Sequence, residues 1–342
     1  MNDMTFINVA GYFGTGSSAV VDLLKEFKDF YECDAEIRFI KDPYGISQLE
    51  NALVNQWELV NSAAAIADFR EMCRKGCRPG GNNPFAKAGL AYKQRIASDF
   101  MDIVDEYIGK ITKYQYIGDF YHFKFKKPYF KYVTDRIRFA IELYSNGKYK
   151  TANRSIRPLC FSCPSQEQFN EATQWFLEKL FHEHIEGKDH PYILLDQAVS
   201  PNNPSVIHRY FKNTKLIIVD RDPRDTFVNE YRAICYLDND FNSVEGGHRY
   251  ALRQRALRSG LIEDKDIMYI RFEDLIINYE ESKRRIANFL GLSLEDHLYP
   301  KQFLKPEVSI KNIGIWRTYY NDFKYTIDTI EKELPDLCYE LK

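Results

Sequence analysis

The apolar run Phe6-Ile7-Asn8-Val9-Ala10 passes directly into Gly11-Tyr12-Phe13-Gly14-Thr15-Gly16-Ser17-Ser18 and then into a helical pattern from Ala19 to Phe27. This order predicts a strand, a glycine loop and a helix. Such a junction aims several backbone N–H groups and the positive end of a helix dipole at one spot, which suits a phosphate or sulfate group. The spacing fits the frame G-x-x-x-x-G-K-[ST], with Gly11, Gly16 and Ser18 in register and Ser17 in the lysine position. A nucleoside triphosphatase needs that lysine on the β and γ phosphates, so the loop reads as one that grips an anion without splitting a triphosphate. Tight turns also collect glycine for purely conformational reasons, and other residues have to decide between the two.

Two hundred residues downstream, Lys215-Leu216-Ile217-Ile218-Val219-Asp220 has the composition of a buried strand in a parallel sheet and runs into Arg221-Asp222-Pro223-Arg224-Asp225-Thr226-Phe227-Val228-Asn229-Glu230-Tyr231. Pro223 suits a first helical position, and Asp222 or Asp225 can cap. Arg221 falls at the carboxyl end of the strand, where ligands of open α/β sheets bind. An ordinary capped helix with arginines paired to Asp222 and Asp225 would leave the same trace in the sequence.

Taken together, the two stretches resemble the sulfotransferases that use 3′-phosphoadenosine 5′-phosphosulfate (PAPS) and release adenosine 3′,5′-bisphosphate (PAP). In that family a 5′-phosphosulfate loop follows the first strand, and a 3′-phosphate site follows a central strand as an arginine with a serine eight residues on. Arg221 and Asn229 occupy those places, the amide of Asn229 standing in for the hydroxyl. The run Tyr269-Ile270-Arg271-Phe272-Glu273-Asp274-Leu275, with its helix to Phe289-Leu290-Gly291, is similar to the family's "[YF]-E-D-L" and "FLG" segments. The resemblance implies that Phe272 lies near the adenine. Lys311-Asn312-Ile313-Gly314-Ile315-Trp316-Arg317 is similar to the "G-x-W-[RK]" segment of bacterial members, which implies that Lys311, Gly314, Trp316 and Arg317 close over the 3′-phosphate. The implied fold is α/β, three αβα layers around a central parallel sheet. One domain spans 1–342, with a mainly helical, aromatic-rich insertion at about 49–190 forming the acceptor pocket.

The family also supplies expectations for the chemistry. Members that modify carbohydrates place a glutamate base on the second strand, and Glu36 holds that position, within Cys33-Asp34-Ala35-Glu36-Ile37-Arg38-Phe39-Ile40. A surface pair with Arg38 is the plain alternative, and Asp196 and His208 are reserve candidates. The loop departs from the family, with Phe13 and Gly14 where a lysine or arginine precedes the Gly-Thr-Thr core. Backbone N–H groups from Gly14, Thr15, Gly16, Ser17, Ser18 and Ala19 still suit the 5′-phosphate. Charge on the leaving oxygen then needs another source, Arg38 or Lys41 first and Lys311 second. No metal is required for such a transfer. The acceptor implied by a glutamate base is a sugar hydroxyl of a glycan or glycolipid; the aromatics between Tyr114 and Phe139 would equally suit a sterol, phenol or lipid alcohol.

Composition sets the remaining bounds. With 342 residues, 44% hydrophobic and including 24 Phe and 24 Tyr, the chain can bury a large core. A net charge of −2 gives no global attraction to nucleic acid, so any basic site has to be local. No stretch reads as a membrane span and the first strand starts within six residues of Met1, so a cytoplasmic location is expected. Cys73-x3-Cys77 and Cys160-x2-Cys163 are irregular for a zinc site and read as reduced thiols. Residues 49–107 read as largely helical with a loop over 75–84, and Tyr121 to Phe125 alternate like an edge strand. Lysines interleaved with those aromatics suggest either a stacking surface for nucleic acid or sugar, or a protected sheet edge. A small-molecule kinase or a non-catalytic nucleotide-binding protein are the competing classes.

Overall fold

The structure, a computed structural model, describes residues 4–33, 36–80, 89–118, 120–126, 128–146, 157–185, 192–233 and 240–340. Its strands are β1 Thr5–Gly11, β2 Phe30–Glu32, β3 Tyr114–Gly118, β4 Arg157–Phe161, β5 Tyr192–Asp196, β6 Thr214–Asp220 and β7 Ile267–Arg271. The chain divides into two compact units, one of Met1–Arg38 with Phe181–Lys342 and one of Phe39–Leu180.

The first unit holds a five-stranded parallel sheet in the order β2-β5-β1-β6-β7. Side chains alternate across its strands, and both faces are covered, as parallel sheets require. Ile7, Val9, Leu194, Ile217, Val219 and Ile270 form one face, packed on the Ser17–Lys25 helix and on the helices that follow β7. On the other, Phe6 meets Phe181 and Phe211 at ring separations of 5.9 and 5.0 Å. Because all five strands run the same way, the residues that close β1, β5, β6 and β7 share one edge of the sheet. Val9 stands level with Asp196 and Ile217, and Asp220 with Arg271. Helices start directly from three of these ends, at Ser17, Pro223 and Phe272. The fold is α/β with a central parallel sheet flanked by helices.

The second unit is mainly helical, with helices Leu59–Gly76, Phe100–Ile111 and Tyr129–Tyr144 and an antiparallel β3–β4 pair. Phe39, Phe69, Phe100 and Phe176 are fully buried in it, and Tyr107 stacks on Phe176 at 4.6 Å. The expected edge strand at Tyr121 to Phe125 is instead a short helix. Five alternating residues are too few to separate the two periods; Phe123 packs against Ala64 and Leu159 while Phe125 is exposed. The strand lies just upstream, in β3. The loop expected over 75–84 is described only to Gly80, the helix before it ending at Gly76. Among the described residues no helix is long and apolar enough to cross a membrane, and the cysteines are free thiols outside any three-ligand group.

One buried charge fastens the loop helix to the C-terminal third of the chain. Glu26, fully buried at the helix end, accepts from Tyr279 Oη at 2.9 Å, His297 Nε2 at 2.8 Å, Phe303 N at 3.2 Å and Leu304 N at 3.0 Å. Glu26→Ala removes the acceptor of all four partners, of which the Tyr279 hydroxyl and Leu304 N are buried bonds. The expected loss is about 3 kcal/mol of stability, read as a lower urea midpoint at unchanged slope; a shift under about 0.5 kcal/mol would mean that water replaces the carboxylate.

Candidate active site

The turn after β1 is built by its own backbone and one hydroxyl. Thr15 N donates to Tyr12 O at 3.0 Å and Thr15 Oγ1 to the same oxygen at 2.7 Å, so the buried Thr15 side chain shapes the loop and does not face a ligand. Gly14 and Gly16 take the left-handed conformation, φ +72° and +84°, that glycine adopts without strain. Gly16 is the N-cap of the Ser17–Lys25 helix, whose N-terminus therefore opens at the loop. A Cβ at Gly16 would stand 2.7 Å from the Phe272 ring, so the residue is fixed by packing as well as by its φ. Ser17, in the lysine position, accepts from Gln197 Nε2 at 2.8 Å and donates to Asp196 Oδ1 at 3.4 Å. Those two partners end β5 and begin the turn after it.

The end of β6 supplies a buried cation. Arg221 is 4% exposed, with its guanidinium 4.7 Å from the centre of the Phe272 ring. Asn229, one helical face along, accepts from it at 2.6 and 3.3 Å once its amide is oriented to match, which leaves the amide NH2 as a donor on the other side. Asn312 O accepts from it as well, and Asp225 stands 3.7 Å away. Nε of Arg221 is buried with no partner. Burial pulls this guanidinium below its ordinary value while Asp225, Glu273 and Asp222 pull it back. A charge held at a desolvation cost, with one donor unanswered, is favourable ground for an anion.

Loop and arginine meet in one cleft of about 300 Å³, where Gly16, Ser18 and Ala19 line one part and Arg221, Phe272 and Asn312 another. Lys305 and Ser309 also line it and were missed in the sequence. Lys305 stands at the N-cap of a helical turn with Pro306 behind it, and a Lys-Pro pair is too common to single out. Phe272 itself is 4% exposed, held between Gly16 and Arg221.

The other expected residues lie differently. Gly314 N and Trp316 N donate to Asp225 at 2.8 and 3.1 Å, and the Trp316 ring lies under Arg224 at 4.3 Å. Burial pushes the Asp225 carboxyl up, and Arg221 and these two N–H groups draw it back. Gly314 and Trp316 thus support the Arg221 helix from behind, and Arg317 lies over Trp316 with its side chain exposed. Lys311 is exposed, next to the cleft residue Asn312. Glu36 is not on a strand: β2 ends at Glu32, and Glu36 sits in irregular chain, 52% exposed, paired with Arg38 at 2.7 Å. Three residues suffice to pair β2 with the start of β5, so the strand stops before reaching it. Lys41 falls in a turn of the second unit. His208 is on a helical turn before β6 and bonds Asp264 at 2.8 Å, which puts it at the amino edge of the sheet, a strand length or ~20 Å from the loop edge. With Asp264 and Asp266 it forms a three-ligand grouping, in which Lys215 already neutralises Asp266 at 2.7 Å.

The Sulfotransferase family model matches residues 124–296, just over half of the chain. Among solved structures, the sulfotransferase domain of the Synechococcus PCC 7002 olefin synthase is similar at 11% identity and TM-score 0.44, over 100% of this chain and 97% of that one. The sulfotransferase domain from the curacin biosynthetic pathway gives 12%, 0.43 and full coverage of both chains. Retinol dehydratase, solved with androsterone and the inactive cofactor PAP, gives 13% and 0.30, over 98% of this chain and 82% of that one. No curated protein sequence matches. Membership rests on the family model, and with the strand, loop and helix order described above the chain belongs to the sulfotransferase family.

Proposed function

We propose that the protein transfers the sulfuryl group of PAPS to an acceptor hydroxyl, a sugar of a glycan or glycolipid. The observation that carries this reading is the shared cleft, in which a helix N-terminus with a glycine loop and a buried, incompletely partnered arginine stand side by side. Two anionic groups on one nucleotide match two such sites. In this reading the Gly14 to Ala19 loop holds the 5′-phosphosulfate and Arg221 with Asn229 holds the 3′-phosphate.

The reaction breaks the bond between sulfur and the bridging oxygen and forms one from sulfur to the acceptor oxygen. The acceptor proton goes to a carboxylate, and negative charge collects on the 5′-phosphate left behind. Lys305, exposed at the cleft, is our choice to meet that charge in place of a loop lysine, ahead of Arg38, Lys41 and Lys311. For the base we favour Asp196 over Glu36, because Asp196 contacts Ser17 on the loop whereas Glu36 is exposed and paired with Arg38. The PAPS requirement of this mechanism involves no metal.

Thermal shift tests the cofactor class: PAP should raise Tm and ATP with magnesium should not; the reverse would mean a kinase. Arg221→Ala should weaken PAP binding ~10- to 100-fold, as loss of a charge-assisted donor pair does, with a smaller loss for Asn229→Ala. The 3′-dephosphorylated nucleotide is the control, and equal losses for both ligands would make Arg221 structural.

Turnover on an acceptor that the wild type sulfates separates the two carboxylates. Asp196→Asn should lower kcat by ~10²–10⁴ with PAP affinity retained, while Glu36→Gln should change it less than twofold. The opposite ranking would restore Glu36 as the base, and two unimpaired variants would remove both.

A further inference from the structure

The Tyr129–Tyr144 helix buries none of its 16 residues. Tyr129, Phe130, Ile137, Phe139, Leu143 and Tyr144 are 81, 64, 55, 57, 62 and 88% exposed. At 100° per residue these side chains, with Val133, Ala140 and Ile141, fall on one arc of about 200°. Lys131, Thr134, Asp135, Arg138 and Glu142 occupy the opposite arc, and Arg136 lies inside the apolar one. An uncovered helix of this length, ~24 Å, is marginal in water by itself. Some surface therefore takes the apolar arc.

Charge and side-chain type indicate which. Between Tyr121 and Tyr144 the sequence has six basic residues, Lys124, Lys126, Lys127, Lys131, Arg136 and Arg138, against the two acids Asp135 and Glu142, in a chain whose net charge is −2; Lys126 is paired with Asp68, which leaves an excess of three. A nucleic acid or an acidic glycan would answer the positive charge and the tyrosines but offers nothing to Ile137, Ile141 and Leu143. A second copy of the helix would answer the aliphatic side chains but would set positive charge against positive charge. An anionic bilayer answers both, since aliphatic side chains enter the acyl boundary, Tyr and Phe sit at headgroup level, and Arg136 reaches out of the apolar arc to a phosphate.

We propose that the Tyr129–Tyr144 helix docks the protein in the plane of an anionic phospholipid surface. This stands apart from the sulfuryl-transfer reading, because it is argued from this helix alone and its test needs neither PAPS nor acceptor. The full chain is sedimented with vesicles of phosphatidylcholine alone and with 30% phosphatidylglycerol (about a third anionic lipid). Binding is expected to the anionic vesicles at least ~10-fold above the neutral ones and to fall with salt. Ile137→Ser/Phe139→Ser, changes at exposed positions, should reduce it ~10-fold or more. Arg136→Glu/Arg138→Glu should remove the preference for phosphatidylglycerol while leaving the fold intact by circular dichroism. Equal binding to both vesicles, or none, overturns the proposal. So does a dimer in light scattering that Ile137→Ser/Phe139→Ser dissociates, which assigns the face to a second copy, and so does single-stranded DNA binding with no vesicle binding.

Discussion

The cleft depends on a three-part stack, Gly16 against Phe272 and Phe272 against Arg221. Each part comes from a different strand end, β1, β7 and β6, so the sheet has to form in register before any of them meets. The glycine admits the ring where any Cβ would collide with it. The ring gives the guanidinium an apolar floor and a cation–π contact at 4.7 Å. The guanidinium, whose Nε has no hydrogen-bond partner and which burial holds below its ordinary value against the pull of Asp225, Glu273 and Asp222, lines the same cleft as Gly16 at the helix N-terminus. Asp225, Asn229 and Asn312 position that charge without closing its last donor, and Gly314 and Trp316 position Asp225.

Serine in place of the loop lysine changes how the loop is held. A lysine there would project a charge; Ser17 instead joins the loop by hydrogen bonds to Gln197 and Asp196 on the neighbouring strand end. The loop is thereby coupled to a carboxylate one strand away, and the cations of the cleft come from Arg221 and Lys305. In the proposed reading, anion binding at this loop falls to the backbone N–H groups and the helix dipole in place of a lysine, which suits a bound phosphate ester better than transfer of a terminal phosphate.

Much of the first unit was legible because its signals are local. Strands β1 and β6 are short apolar runs, and Gly11, Gly16 and Asp222-Pro223 at their ends and Gly291 after the helix that follows β7 are residues whose backbone chemistry stops or starts an element by itself. The cap at Asp222 and the left-handed stop at Gly291 needed no tertiary contact to be expected. The second unit was less legible, since its aromatics lie at spacings that fit either period: the five residues Tyr121 to Phe125 alternate like a strand, and the strand itself lies at Tyr114–Gly118.

The sequence alone therefore determined the first strand with its glycine loop and helix, and the arginine at the end of a later strand with the helix that follows, because these are written in adjacent residues. Tertiary structure decided which charges share a cleft. It brought Lys305 and Asn312 into one cleft with Arg221 from 84 and 91 residues away, put Asp196 on the loop, left Glu36 outside in an exposed pair, and sent His208 to the far edge of the sheet. Proximity across a parallel sheet follows from strand order and register, and β2-β5-β1-β6-β7 is a pairing that no local spacing encodes.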